Sequence, residues 1–402
     1  MLPFNKDARS FPCPDLADSQ NQYGGDAPDF TATAGSTPTS GSAGNDRHPE
    51  KQKMHMADAL ISPAVGGAMW AVSGGLIAYC ARKVKHASRD NLVPMMGVLG
   101  AFVFAAQMIN FSIPGTGSSG HLGGGLILAA LLGPHAGFLV IASVLTVQAL
   151  FFADGGLLAL GCNIFNLGFF PAFIAYPLIY RILVSDQYGT ARAWIAAVVA
   201  AVVGLQLGAF SVAVQTKASG VSDLPFGTFV LLMLPIHFAI GIVEGLATAA
   251  VVSLVAKARP EALPAAHESG PASLRPVLVK VAIAAAVVGG VASWFASTRP
   301  DGLEWSLARA TGREEIESRD ESLHKSLADL QQKTAFLPDY AFMSGANDES
   351  PAETESPAAE AWPAVSAGTS VSGIVGGIMT VALACLIGVV LRSRSIAGTG
   401  AR

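Results

Sequence analysis

Met54-His55-Met56-Ala57-Asp58-Ala59-Leu60-Ile61-Ser62-Pro63 marks the point where the chain changes character. The residues before it are rich in Ser, Thr, Gly, Pro, Asp and Asn, with scattered charges. Such a segment buries too little apolar surface to offset its ordering entropy, so 1–53 reads as a disordered extension. It also lacks the apolar region of a secretory signal. The translated or mature protein is therefore expected to start at Met54; a real tail that is cleaved is the alternative. After this stretch come long runs nearly free of charge, at about 57–81, 92–111, 121–133, 136–153, 157–180, 193–215 and 226–256.

A helix needs about 20 apolar residues to cross the hydrocarbon core, so the third run is a partial or steeply bounded span. The runs are continuous and rich in Ala, Gly, Leu and Val, without the two-residue alternation of barrel strands. A backbone in lipid must satisfy its own hydrogen bonds, and helices do so. Of the chain, 51% is hydrophobic and only 13% charged, against about 25% charged in soluble domains. The net charge of −4 gives no reason to expect a nucleic-acid partner; the partner that composition implies is membrane lipid. Cys13, Cys80, Cys162 and Cys385 are far apart, which reads as isolated thiols rather than a zinc site or disulfide framework.

Beyond the seventh run, 258–276 reads as a linker, 277–297 as a helix, 298–369 as a polar loop and 370–391 as a last helix, with a tail at 393–402. Residues 299–369 hold fourteen acidic and six basic residues, a net −8. That loop is either a cation-attracting surface or a solvated, partly disordered face. Arg82, Lys83, Lys85, Arg89, Arg181, Arg192, Lys257, Arg259, Arg275, Arg392, Arg394 and Arg402 all fall on one side of such a bundle. By the positive-inside rule that side is the cytoplasm, which leaves Met54 outside and the C-terminus inside. The expected fold is an all-α integral membrane protein. A core of about seven helices (54–257) is followed by a two-helix unit (277–392) with a long extracytoplasmic loop.

Met54-His55 has two readings. If Met54 is the chain start, its α-amine, the His55 amide nitrogen and the His55 Nδ1 grip one ion in two fused chelate rings. Three in-plane nitrogens leave a fourth place, an arrangement that suits Ni(II), Cu(II) or low-spin Co(II) better than Zn(II) or Mg(II). If Met54 is internal, His55 is an interfacial histidine beside a membrane helix. His121 follows the turn-rich run 114–120 and, taken alone, reads equally well as a helix-capping histidine. Asn163 and Asn166 share one helical face and read as interhelical hydrogen bonders. Gln107, Gln148, His237 and Glu244 are polar groups inside spanning segments and so functional suspects, although the spacing of His237 and Glu244 favours a structural contact. Pro300-Asp301-Gly302-Leu303-Glu304 is locally a turn with Leu303 and Trp305 as interfacial anchors. The chain has no G-x-x-x-x-G-K-[ST] loop and no H-E-x-x-H motif, so any ATP-driven activity must draw on another subunit.

Four blocks in order resemble the metal-binding membrane component of energy-coupling-factor cobalt/nickel transporters. They are 54–63, then 107–111 through Gly120-His121-Leu122, then 148–166, then His237 to Gly245; together they cover about 54–260. Met56-Ala57 stands where the family has Ile-Pro, and Ala59 where it has Gly; the family also begins at the methionine equivalent to Met54. Pro300 to Glu304, Asp339-Tyr340, Phe342 and the final helix resemble a PDGLE-type auxiliary domain found beside or fused to nickel-type relatives. The resemblance implies that His121 supplies the fourth nitrogen beside Met54 and His55. Asn163 and Asn166 become candidates for the shell of hydrogen bonds behind the ligands. It implies a transported Ni2+ or Co2+ rather than a permanent cofactor, at the plasma membrane. It also implies a transmembrane coupling subunit and two cytoplasmic ATPase subunits as partners. The rival readings are a membrane metalloenzyme or metallochaperone, and an organic-solute transporter with structural histidines.

Overall fold

The computed structural model describes residues 55–85, 92–184, 188–220, 224–258, 275–312, 322–343 and 362–399. The expectations for 1–53, the Met54 amine, most of the 258–276 linker and the extreme C-terminus lie outside the described residues. Six described helices are long and apolar enough to cross a membrane. They are α1 (Pro63–Lys85), α4 (Pro134–Phe151), α5 (Leu160–Val184), α6 (Ala191–Ala218), α7 (Phe226–Ala258) and α11 (Ala367–Thr399). Shorter apolar helices complete the body: α2 (Leu92–Gln107), α3 (Gly125–Leu132) and α8 (Arg275–Gly290). All nine apolar runs of the sequence are therefore helical, and the chain is an all-α, multi-pass membrane protein.

α3 and α4 form the centre, and nearly all of their side chains are buried. The outer helices keep apolar faces exposed, as at Leu231, Leu254, Ile195 and Ile378, where lipid replaces protein as the neighbour. Between α6 and α7 the backbones touch: a Cβ at Gly245 would overlap Val198 Cα, and one at Gly241 would lie 2.7 Å from Val202 Cα. Small residues at such crossings permit close van der Waals packing where no hydrophobic driving force separates protein from lipid. The middle of α5, Phe165–Tyr180, is wound as a π-helix and contains Pro171 and Pro177.

The eight-residue α3 confirms the third run as a partial span, and its cause is the segment before it. Residues 108–124 fold back as a small antiparallel hairpin, Phe111–Ser112 against Ser119–Gly120, before α3 begins at Gly125. Glu244, which holds this segment, lies about 27 Å along α7 at 1.5 Å per residue. Non-helical backbone at that depth must be paired within the protein. Gln107 Nε2 donates to the Gly123 carbonyl at 2.9 Å, Gln148 Nε2 donates to Gln107 Oε1 at 3.0 Å, and the Gly123 N–H donates to Glu244 Oε2 at 2.8 Å. Gln107, Gln148 and Glu244 are all buried. The carboxylate also complements the exposed N–H groups and positive end of α3.

The polar loop after α8 is more ordered than its composition suggests. Its described parts contain α9 (Gly302–Thr311) and α10 (Ser322–Thr334). Asp301 N-caps α9 by accepting from the Glu304 N–H at 2.8 Å. α10 is tied to the body by Gln331, whose Nε2 donates to the carbonyls of Ala149 (2.8 Å) and Gly155 (2.7 Å).

Replacing Glu244 by Ala leaves the Gly123 N–H without its partner and is expected to destabilise the protein by about 1–3 kcal/mol. Glu244→Gln keeps an acceptor and should lose less. Thermal unfolding of the detergent-solubilised protein checks the order; equal losses would show that the hydrogen bond is not what Glu244 contributes.

Candidate functional site

His55 opens the described chain and is stitched to the loop between α4 and α5. Asn163 pairs with the backbone of Met56 on both sides: the Met56 N–H donates to Asn163 Oδ1 at 3.3 Å, and Asn163 Nδ2 donates to the Met56 carbonyl at 3.2 Å. The Gly156 N–H donates to the same carbonyl at 3.0 Å, and the Ala159 N–H donates to Asp58 Oδ1 at 2.8 Å. An irregular segment with one 3-10 turn at Asp58–Leu60 is thereby laid into the helical body, and Pro63 then starts α1. His55 is only 4% exposed.

The re-entrant hairpin delivers His121 to the same place. The ring centres of His55 and His121 are 5.3 Å apart. With nitrogen-to-metal bonds of about 2 Å, two imidazoles reach one ion from centres up to roughly 6 Å apart. His121 Nδ1 lies 3.1 Å from the Leu122 carbonyl; a carbonyl only accepts, so Nδ1 carries a proton. His237 shows the same arrangement, with Nδ1 2.9 Å from the Met233 carbonyl. One cavity is lined by His55, His121, His237, Gly123, Asn163, Asn166 and Asp301. Asn166 pairs with Gln215 through two amide hydrogen bonds of 2.8 and 3.0 Å.

Behind His55 stands Asp154, buried at 3% exposure. Its Oδ1 is 3.1 Å from His55 Nδ1, an ion-pair distance. The approach is off the direction in which the ring N–H would donate, so neither ring nitrogen of His55 has a hydrogen-bond partner among the described residues. Asp154 Oδ2 accepts from the Tyr340 hydroxyl at 2.6 Å. Burial alone would raise the Asp154 carboxyl, but His55, the Tyr340 hydroxyl and His121 outweigh it and hold the group below the ordinary carboxylate range. Asp301 differs: burial first, then the Glu304 carboxylate, push it well up, against hydrogen bonds from the Glu304 and Leu303 N–H groups.

Among the described residues no group of three or more His, Cys, Asp or Glu side chains is gathered for a metal ion. The structure brings His55 and His121 together and sets Asn163 against the backbone beside His55. Met54 lies outside the described residues. Pro300 to Glu304 meet the hairpin: Ser119 N–H donates to the Pro300 carbonyl at 2.8 Å, and Ser119 Oγ to the Arg299 carbonyl at 2.7 Å. Sequence reasoning assigned no chemistry to Asp154, Tyr340 or the cavity-facing side of Asp301. Their only signals were an acidic residue in a loop and the conformity of Asp301 and Tyr340 to the auxiliary-domain pattern.

Residues 55–262 match the family described as cobalt uptake substrate-specific transmembrane region, and residues 275–393 match the PDGLE domain. A putative metal transport protein of Haloquadratum walsbyi is 37% identical over 52% of this chain and 92% of its own length. A putative fused nickel transport protein of Archaeoglobus fulgidus is 34% identical over 57% of this chain and 75% of its own length. A solved structure described as a transition metal transporter aligns at 29% identity with a TM-score of 0.45, covering 51% of this chain and 93% of that one.

Gly155 has φ +83°, and a Cβ there would lie 2.8 Å from His55 Cβ and 3.1 Å from Asn163 Nδ2. Gly155→Ala therefore adds left-handed strain of about 1–2 kcal/mol and pushes on His55. A lowered melting temperature in detergent is the expected result; an unchanged one would mean that the loop yields without cost.

Proposed function

This chain belongs to the cobalt uptake substrate-specific transmembrane region family and carries a PDGLE domain, and we propose that it is the substrate-capture component of an ATP-driven uptake transporter for Ni(II) or Co(II). The ion is taken at the outer face by the Met54 amine, the amide nitrogen and imidazole of His55, and the imidazole of His121. The observation that carries this reading is the convergence of His55 and His121, with ring centres 5.3 Å apart in the lining of one cavity. Nitrogen donors of this kind, set beside a backbone amide, favour a tetragonal metal over a purely oxygen-liking one. The names of relatives, among them a fused nickel transport protein of Rhodobacter capsulatus and a cobalt transport protein of Geobacter sulfurreducens, agree with both metals.

The rest of the assembly follows from what the chain lacks. Without a nucleotide-binding loop it depends on cytoplasmic ATPase subunits and a transmembrane coupling subunit. Residues 54–257 form the capture domain and 277–392 the auxiliary domain, joined by 258–276. The basic residues at the ends of α1, α5 and α7 and at the starts of α6 and α8 support an orientation with those ends in the cytoplasm and the His55 cavity outside.

His55→Ala and His121→Ala should each weaken equilibrium Ni(II) and Co(II) binding by the purified full chain at least tenfold, or about 1.4 kcal/mol. Loading should release protons, because these ligands bind deprotonated. Undiminished binding in both variants would sink the assignment. Terminal-peptide analysis of the metal-binding protein should find Met54 first; a longer N-terminus with full affinity would remove the amine from the ligand set.

A further inference from the structure

The auxiliary domain does more than lie beside the cavity. Tyr340 is buried, stacked on Phe152 with ring centres 5.1 Å apart and 19° between planes. Its hydroxyl donates 2.6 Å to Asp154 Oδ2, and the other oxygen of that carboxylate is 3.1 Å from His55 Nδ1. One oxygen of Asp154 thus meets the auxiliary domain and the other the histidine.

The backbone that presents Tyr340 is strained and pinned. Asp339 and Tyr340 have φ of +51° and +59°, positions disfavoured for residues other than glycine that persist only where surroundings hold them. The Leu337 N–H donates to the Phe151 carbonyl at 3.3 Å and the Asp339 N–H to the Phe152 carbonyl at 2.8 Å. Both anchors are carbonyls at the end of α4, just before Asp154. Hydroxyl and carboxylate are therefore set by one local frame, although they are far apart in sequence.

We propose that Tyr340 is a positioning residue of the metal-capture site, fixing the Asp154 carboxylate against His55 so that an ion held by that imidazole has an anionic partner supplied through the auxiliary domain. The inference rests on the capture function proposed above. Removing the hydroxyl takes away the 2.6 Å hydrogen bond to Oδ2, so the carboxylate is less firmly held against His55. The carboxylate stands at Nδ1, the His55 nitrogen proposed to take the ion, so its placement sets the charge and the room beside that ligand atom; losing a group that orients a metal site commonly weakens affinity 10–100-fold.

The test is a double-mutant cycle on the full chain in detergent, titrated with Ni(II) and with Co(II). The visible absorption of bound Co(II) is recorded in each variant as a readout of ligand geometry. Tyr340→Phe should keep the ring stacking, weaken binding about tenfold or more, and shift the Co(II) bands. In an Asp154→Asn background the same change should add little. Unchanged affinity and spectrum in Tyr340→Phe, with binding still lost in His55→Ala, would overturn this inference and leave the capture function standing. An equal loss from Tyr340→Phe with and without Asp154→Asn would overturn it too, by showing that Tyr340 acts by another route. No binding by the unaltered chain would remove the capture function and this inference with it.

Discussion

The hydrogen bond from the Gly123 N–H to the Glu244 carboxylate is the constraint on which the rest depends. It stands where lipid offers no substitute partner, and it fixes where the re-entrant hairpin stops and α3 starts. Gln107 and Gln148 extend the same restraint to the Gly123 carbonyl and to α4. Without it the hairpin would have to pay for unpaired backbone in an apolar setting. With it, His121 is held at a fixed depth between α7 and the segment carrying His55. The one acidic side chain within the described spanning helices is therefore used to place a histidine, not to face an ion.

The second histidine reaches its position by a different route. His55 precedes its helix and has no helical backbone to hold it. Its place is set by the two-sided pairing of Asn163 with Met56, by Asp58 accepting from Ala159, and by the turn at Gly155. One ligand candidate is thus anchored from within the bundle and the other from its rim. Rigid support of this kind reduces the ordering cost that binding would otherwise have to meet.

Much of this was legible in the sequence, because apolar run length and the need for internal hydrogen bonding are strong signals in lipid. All nine runs became helices. The errors at their edges have physical causes: the first helix was expected near 57 but α1 starts at Pro63, since the segment before it, with one 3-10 turn at Asp58–Leu60, is bound to the 154–163 loop. The third was expected from 121 but starts at Gly125, since Gly123 and Gly124 are bound to Glu244 and Gln107 before the helix can wind. His55 and His121 could be named from a resemblance of short blocks. Asp154 and Tyr340 could not be paired, because their contact spans two domains and no periodicity links them. The same holds for α10, whose polar sequence reads as loop until Gln331 is seen gripping two carbonyls of the body.

Fusion of the two units also changes how the acidic loop should be understood. A net charge of −8 over 299–369 invites the idea of a diffuse cation-attracting surface. The described residues point instead to specific uses: Asp301 caps α9 and faces the cavity, while Tyr340 bonds to Asp154. A diffuse field is screened within about 8 Å at physiological salt, whereas buried groups such as these are screened far less. The parts of the loop nearest the cavity therefore act through placed side chains, and covalent linkage keeps them at high local concentration. On the proposed reading, an auxiliary domain that contributes a buried hydroxyl beside Asp154 is a component of the site, and its loss would be felt at His55 even though it supplies none of the proposed ligands.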